Sequence, residues 1–128
     1  MEGESITVLV VDDDPAIRLL CRVNLELDGC TVVEAGGLNE AREVLEHSTV
    51  DVVLLDVHVG RDSGFDLLRE LRERSPQTPV ALLTGSSELD TIDPERADAV
   101  IPKPFRLETL TSTVRTLAER RREIDSSG

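Results

Sequence analysis

Residues 50–56 read Val-Asp-Val-Val-Leu-Leu-Asp, an apolar run rich in β-branched side chains that stops at an acid. A run of this length and composition suits a strand covered on both faces, as in a parallel sheet. The next stretch, Val57 to Gly64, holds two glycines and two charges and reads as a loop. Asp56 therefore ends a buried strand, at the edge where α/β sheets open toward ligands. A purely structural carboxylate accounts for it poorly. Burying an unpaired carboxylate is costly, and nothing within the run can pair with it.

The rest of the chain alternates strands and helices. Ile6 to Val11 reads as a first strand ending in Asp12-Asp13-Asp14. Asp14 followed by Pro15 predicts a helix cap and first turn. The helix runs to about Asp28, with Ala16, Leu20, Val23 and Leu27 at helical spacing on one face. Gly29 stops it. Thr31 to Ala35 is a second strand, and Asn39 to His47 a second helix with Ala41 and Leu45 inward. After Asp56, a third helix follows Gly64 to about Arg74, with Phe65, Leu68 and Leu71 facing in. Val80 to Thr84 and Ala99 to Ile101 are a fourth and a fifth strand. Between them, Gly85 to Asp98 has only Leu89 and Ile92 as large apolar residues and Pro94 as a breaker. That predicts a short or irregular fourth helix at the low-stability end of the fold. A last helix spans about Leu107 to Arg122, with Leu107, Leu110, Val114 and Leu117 on one stripe. Its basic end, Arg120-Arg121-Arg122, suits the helix dipole, and 123–128 should form a frayed tail. The fold class is α/β, a doubly wound five-stranded parallel sheet with helices on both faces.

At 128 residues the chain has room for one domain, 1–128, with its core over about 6–122. Phe65 and Phe105 are its only aromatic residues, so the core must be aliphatic. The net charge of −12 argues against nucleic acid as a direct partner, since phosphate binding needs a basic face. Cys21 and Cys30 match no metal spacing and read as free thiols of a reducing compartment. No signal pattern and no membrane-length apolar run is present, so a cytoplasmic chain is expected.

In a parallel sheet every strand's carboxyl end lies on one edge. Asp12 and Asp13, Asp56, Thr84 and Lys103 all follow apolar strands and would meet there. Taken singly, each has an ordinary explanation as a cap, a strand end or a turn residue. Their joint arrival does not. Three carboxylates repel one another unless cations offset them. Lys103 supplies one charge, and Mg²⁺, which favours one or two carboxylates, water and phosphate oxygens, would supply more. A carboxylate, a hard cation, a lysine and a hydroxyl suit phosphoryl transfer through an aspartyl phosphate.

Here the sequence resembles the receiver domain of bacterial two-component response regulators, from Val8 to Leu117. The resemblance rests on Val10-Val11-Asp12-Asp13-Asp14-Pro15-Ala16-Ile17-Arg18, Leu54-Leu55-Asp56, Gly64-Phe65-Asp66-Leu67-Leu68, Leu83-Thr84-Gly85 and Pro102-Lys103-Pro104-Phe105. It implies the strand order 2-1-3-4-5. It also implies that Asp56 accepts a phosphoryl group from a histidine kinase or phosphotransfer protein. Asp13, Asp56 and the main-chain carbonyl of His58 would ligate Mg²⁺, with Asp12 acting through water, and Thr84 and Lys103 would hold the phosphoryl oxygens. Such a domain is a signalling element, not an enzyme, and loses its phosphoryl group slowly. It acts on a downstream protein or through a phosphorylation-dependent homodimer. The sequence departs from the family in having Val59-Gly60 after the acceptor, which should loosen that loop, and His58 where hydrolysis is commonly tuned. It also has Val100 in place of the switch aromatic and a short Thr84-to-Lys103 segment, so a phosphoryl group that draws in Thr84 is expected to act by ordering Gly85 to Asp98.

Two other readings stand beside this one. Haloacid-dehalogenase-like phosphatases place Asp-x-Asp after a first strand, and Asp12, Asp14, Thr84 and Lys103 fit that outline loosely. The later acidic pair is missing, however, and Asp56 is left unexplained. The second is a receiver cut from a hybrid kinase or multidomain regulator. No output domain is expected after Ile124, and output is then expected through binding.

Overall fold

The structure is a computed structural model that describes residues 5–85 and 97–127. Strand β1 (Thr7–Val11) leads to helix α1 (Pro15–Leu27), and β2 (Thr31–Ala35) leads to α2 (Leu38–His47). Strand β3 (Val52–Asp56) is followed by two short strands, β4 (His58–Val59) and β5 (Asp62–Ser63), and then by α3 (Gly64–Arg74). Strands β6 (Val80–Thr84) and β7 (Ala99–Pro102) precede α4 (Leu107–Ser127).

The main sheet is parallel, in the order β2-β1-β3-β6-β7. This is the expected 2-1-3-4-5 order, with the short β4 and β5 counted separately. The two-residue period of the strands divides the core. Leu9, Val11, Val53, Leu55 and Leu82 face Ala41, Leu67, Leu68 and Leu71 of α2 and α3. Val8, Val10, Val52, Leu54 and Leu83 face Cys21, Leu25, Leu110, Val114 and Leu117 of α1 and α4. Every residue of β3 is buried, as its apolar run implied. Cys21 and Cys30 are both free thiols. No helix among the described residues is long and apolar enough to cross a membrane.

Helix α1 begins as expected, with Asp14 accepting from the Ala16 amide at 2.9 Å and Pro15 in the first turn. Its buried face is not the expected one. Ile17, Cys21 and Leu25 pack inward, while Leu20, Val23 and Leu27 are 41%, 45% and 81% exposed. The helix carries two apolar stripes, so periodicity cannot choose between them. Docking on the sheet chooses.

The Val57-to-Gly64 stretch is also more ordered than a loop. His58 pairs with Ser63 and Val59 with Asp62 across a turn in which Gly60 takes φ +63°. Gly60 thus closes a hairpin rather than loosening it, because this left-handed conformation suits a residue without Cβ. Val59 is buried beneath it. Helix α4 runs to Ser127, past the expected end near Arg122. No glycine or proline interrupts the i to i−4 ladder before then. Arg120-Arg121-Arg122 therefore lie inside the helix and not at its end, and Arg121 donates instead to the Val50 carbonyl at 2.6 Å. Leu107, expected inward, is 36% exposed in the first turn. The expected irregular fourth helix and its ordering by ligand fall on 86–96, outside the described residues.

Candidate functional site

Strands β1, β3, β6 and β7 all end on the same edge, and that edge carries the expected residues. Asp12 and Asp13 leave β1, Asp56 ends β3, Thr84 ends β6 and Lys103 follows β7. Carboxylate oxygens of Asp12, Asp13 and Asp56 all lie within 4.8 Å of one another. Lys103 Nζ sits 3.2 Å from Asp12 Oδ2 and 3.3 Å from Asp56 Oδ2. The lysine and the three acids are therefore one electrostatic unit.

The three acids differ in their surroundings. Asp12 is fully buried. Its Oδ1 accepts from the Asp14 amide at 2.9 Å and its Oδ2 from Lys103. Burial pushes its carboxyl above the usual range, and the Asp56 charge adds to this against the opposing pull of the Asp14 amide and Lys103. Burial alone would lower the Lys103 ammonium, but the Asp12 and Asp56 charges outweigh it and hold the pKa raised. Asp56 is nearly buried, and its Oδ1 accepts from the His58 amide at 3.2 Å. Asp13 is exposed, with no hydrogen-bond or ion-pair partner for its carboxylate among the described residues.

Thr84 is buried beside Lys103, whose amide donates to the Thr84 carbonyl at 2.7 Å. Its hydroxyl donates to the Gly85 carbonyl at 3.0 Å, not to the acids. The His58 side chain is exposed on the hairpin. Val100 is half-buried in β7, in register with Leu82. The Lys103–Pro104 peptide is cis.

Two residues at the site carry more than their sequence context showed. An ideal Cβ on Gly64 would lie 2.1 Å from the carbonyl oxygen of Asp56, so that position must be glycine on grounds of space. In the sequence it stood in a motif and at the head of a helix, with no sign of this contact. Arg18 reaches back from α1, its Nη1 donating to the Asp12 carbonyl at 2.6 Å and its Nε to Glu34 Oε1 at 3.0 Å. It stood in the motif without a role.

The sheet is parallel, in the order β2-β1-β3-β6-β7, with an acidic cluster at its carboxyl edge, the architecture of a doubly wound α/β domain. The family model described as response regulator receiver domain matches residues 8–115. The chain is 35% identical over 122 residues to the probable transcriptional regulatory protein TcrX of Mycobacterium tuberculosis, covering 93% of this chain and 52% of that one. It is 36% identical over 113 residues to the autoinducer 1 sensor kinase/phosphatase LuxN of Vibrio campbellii, covering 86% of this chain and 13% of that protein. The fold is similar to that of response regulator protein TrrA from Thermotoga maritima in complex with Mg²⁺ and BeF. The TM-score is 0.81 and the identity 29%, over 88% of this chain and 98% of that one. The chain belongs to the response regulator receiver domain family and is a receiver domain of the two-component signalling type. It spans about half the length of the response-regulator relatives it matches (52% of TcrX). Nothing in these findings favours the phosphatase reading.

Proposed function

We propose that Asp56 is the phosphoacceptor of this domain and that Asp12, Asp13 and Asp56 form its Mg²⁺ site. The observation that carries this reading is the convergence of three carboxylates within 4.8 Å, with Lys103 Nζ 3.2–3.3 Å from two of them. The donor set fits the metal. It consists of hard oxygens, few in number, with one ligand open to solvent. Asp13 and Asp56 would be the direct ligands, with the His58 main-chain carbonyl as a third. Asp12 would act through water, because it is fully buried whereas Asp13 is open to solvent.

The donor is a histidine kinase or phosphotransfer protein. An Asp56 carboxylate oxygen bonds to phosphorus as the bond to the donor nitrogen breaks, and the leaving imidazole takes up a proton. Held by these residues, Mg²⁺ would supply positive charge against the phosphoryl oxygens. Lys103 offsets the rest, and the Thr84 hydroxyl exchanges the Gly85 carbonyl for a phosphoryl oxygen. The phosphorylated state changes binding to a downstream protein or to a second copy. The domain works in the cytoplasm and contacts neither membrane nor nucleic acid directly. A net charge of −12 leaves any DNA contact to another segment or protein. Mass spectrometry after incubation with acetyl phosphate and Mg²⁺ tests the reading. It should show one added phosphoryl group mapping to Asp56, and label elsewhere or none at all would refute it.

The unequal environments of the acids give a second test. Asp13→Ala should weaken Mg²⁺ by more than about tenfold, and Asp12→Ala by less, since only one is a direct ligand. Calorimetric titration measures both, and equal Kd values for wild type and Asp13→Ala would remove Asp13 from the site. Lys103→Ala should still bind Mg²⁺, because an ammonium cannot ligate a cation and its loss exposes two carboxylates to the metal. The same variant should respond weakly to beryllofluoride in the presence of Mg²⁺, monitored by amide chemical shifts. Loss of Mg²⁺ binding would make Lys103 a structural residue instead.

A further inference from the structure

We infer that Arg18 is a positioning residue that holds the Asp13 carboxylate in the metal cluster by fixing the peptide joining Asp12 to Asp13. The inference rests on the proposed metal site and goes beyond it, because Arg18 touches none of the three carboxylates' ligand atoms.

Asp13 has an unusual requirement. Asp12 is held by the Asp14 amide and Lys103, and Asp56 by the His58 amide and Lys103. The Asp13 carboxylate is exposed and without such a partner among the described residues, yet an oxygen lies within 4.8 Å of the other two acids. Its direction must come from the backbone. The Asp12 carbonyl is part of the peptide unit that leads into Asp13, and Arg18 Nη1 donates to that carbonyl at 2.6 Å. A short, charge-assisted bond to one end of a rigid peptide plane fixes the rotation of the whole plane.

The guanidinium is itself immobilised. Arg18 Nε donates to Glu34 Oε1 on β2 at 3.0 Å, and the Arg18 side chain is only 20% exposed. Nη1 lies 3.1 Å from where a Cβ on Gly36 would be, so the group rests against the β2–α2 turn. Arg22 Nη1 holds the second oxygen of Glu34 at 3.0 Å. Arg18 thus ties the β1–α1 turn to β2 through a planar fork, geometry that a lysine cannot copy because its single ammonium carries no such fixed pair of donors.

Electrostatics alone makes the opposite prediction from positioning. Arg18 is a cation near a cation site, so removing its charge should tighten Mg²⁺ binding if field were all that mattered. Removing an anchor should weaken it. Arg18→Met, similar in length but without donors, should raise the Mg²⁺ Kd about tenfold, the scale of an outer-shell loss. Glu34→Gln should raise it less, and Arg18→Lys should fall between wild type and Arg18→Met. In metal-free protein, the Asp13 and Asp14 amides should exchange faster in Arg18→Met than in wild type. Tighter or unchanged Mg²⁺ binding in Arg18→Met overturns the inference. So does a lowered denaturation midpoint with unchanged Kd, which marks a merely structural residue. If Arg18→Met does not fold, Arg18→Lys and Glu34→Gln carry the same test. A wild-type chain that binds no Mg²⁺ overturns the proposed function, and amide exchange then decides the inference alone.

Discussion

Asp56→Asn should take up no phosphoryl group from acetyl phosphate and Mg²⁺, while the wild type takes up one. The amide has no free carboxylate oxygen to bond to phosphorus, and no other acid among the described residues has the same setting. Asp12 is fully buried, and Asp13 lacks the paired lysine. Labelling of the variant at the wild-type level would sink the assignment of Asp56. The same substitution should also make the metal-free protein harder to unfold. Asp56 sits with two other carboxylates and shares its one lysine with Asp12. Removing one negative charge relieves two repulsions and leaves Lys103 paired with Asp12 alone. Like charges crowded at a site oppose folding until a cation arrives. The midpoint in urea should therefore rise without Mg²⁺, and the stabilisation that Mg²⁺ gives the wild type should shrink. An unchanged or lowered midpoint would mean that Lys103 already balances the cluster.

Gly64→Ala should be among the most damaging single-methyl additions in the chain. The new Cβ would sit 2.1 Å from the Asp56 carbonyl oxygen, 3.1 Å from its carbon and 3.3 Å from Leu55 Cγ. Real carbon atoms do not approach a carbonyl oxygen that closely, so either β3 or the start of α3 must move. Neither moves freely. The Gly64 amide donates to the Val57 carbonyl at 2.7 Å, and Ser63 caps α3 by accepting from the Phe65 amide at 3.2 Å. Overpacking of a rigid core costs about 1–3 kcal/mol, and a backbone obstacle puts this case at about 3 kcal/mol or more. The obstacle belongs to the proposed phosphoacceptor, so Mg²⁺ affinity should fall together with stability. Urea denaturation and Mg²⁺ titration check both. An alanine variant with wild-type midpoint and Kd would show that α3 can retreat without cost.

Much of this was legible in local pattern. Strand runs of Val, Leu and Ile fix which residues end them, and parallel pairing then delivers Asp12, Asp13, Asp56, Thr84 and Lys103 to one edge. Helix α1 could be started from Asp14 and Pro15, because capping involves residues only two apart. The sequence by itself determined the alternation of elements, the aliphatic core and the composition of the site. Tertiary structure decided what depends on contact between distant segments. Helix α1 has two apolar stripes, and only the sheet selects Ile17, Cys21 and Leu25 over Leu20, Val23 and Leu27. The β4–β5 hairpin rests on pairing too short to show a period. Gly64 must lack a Cβ because a carbonyl from the preceding strand occupies the space. Arg18 meets Glu34, 16 positions further on, only once β1 and β2 lie side by side. Spacing along a chain encodes period and capping, whereas clearance and long-range hydrogen bonds exist only after the strands have paired.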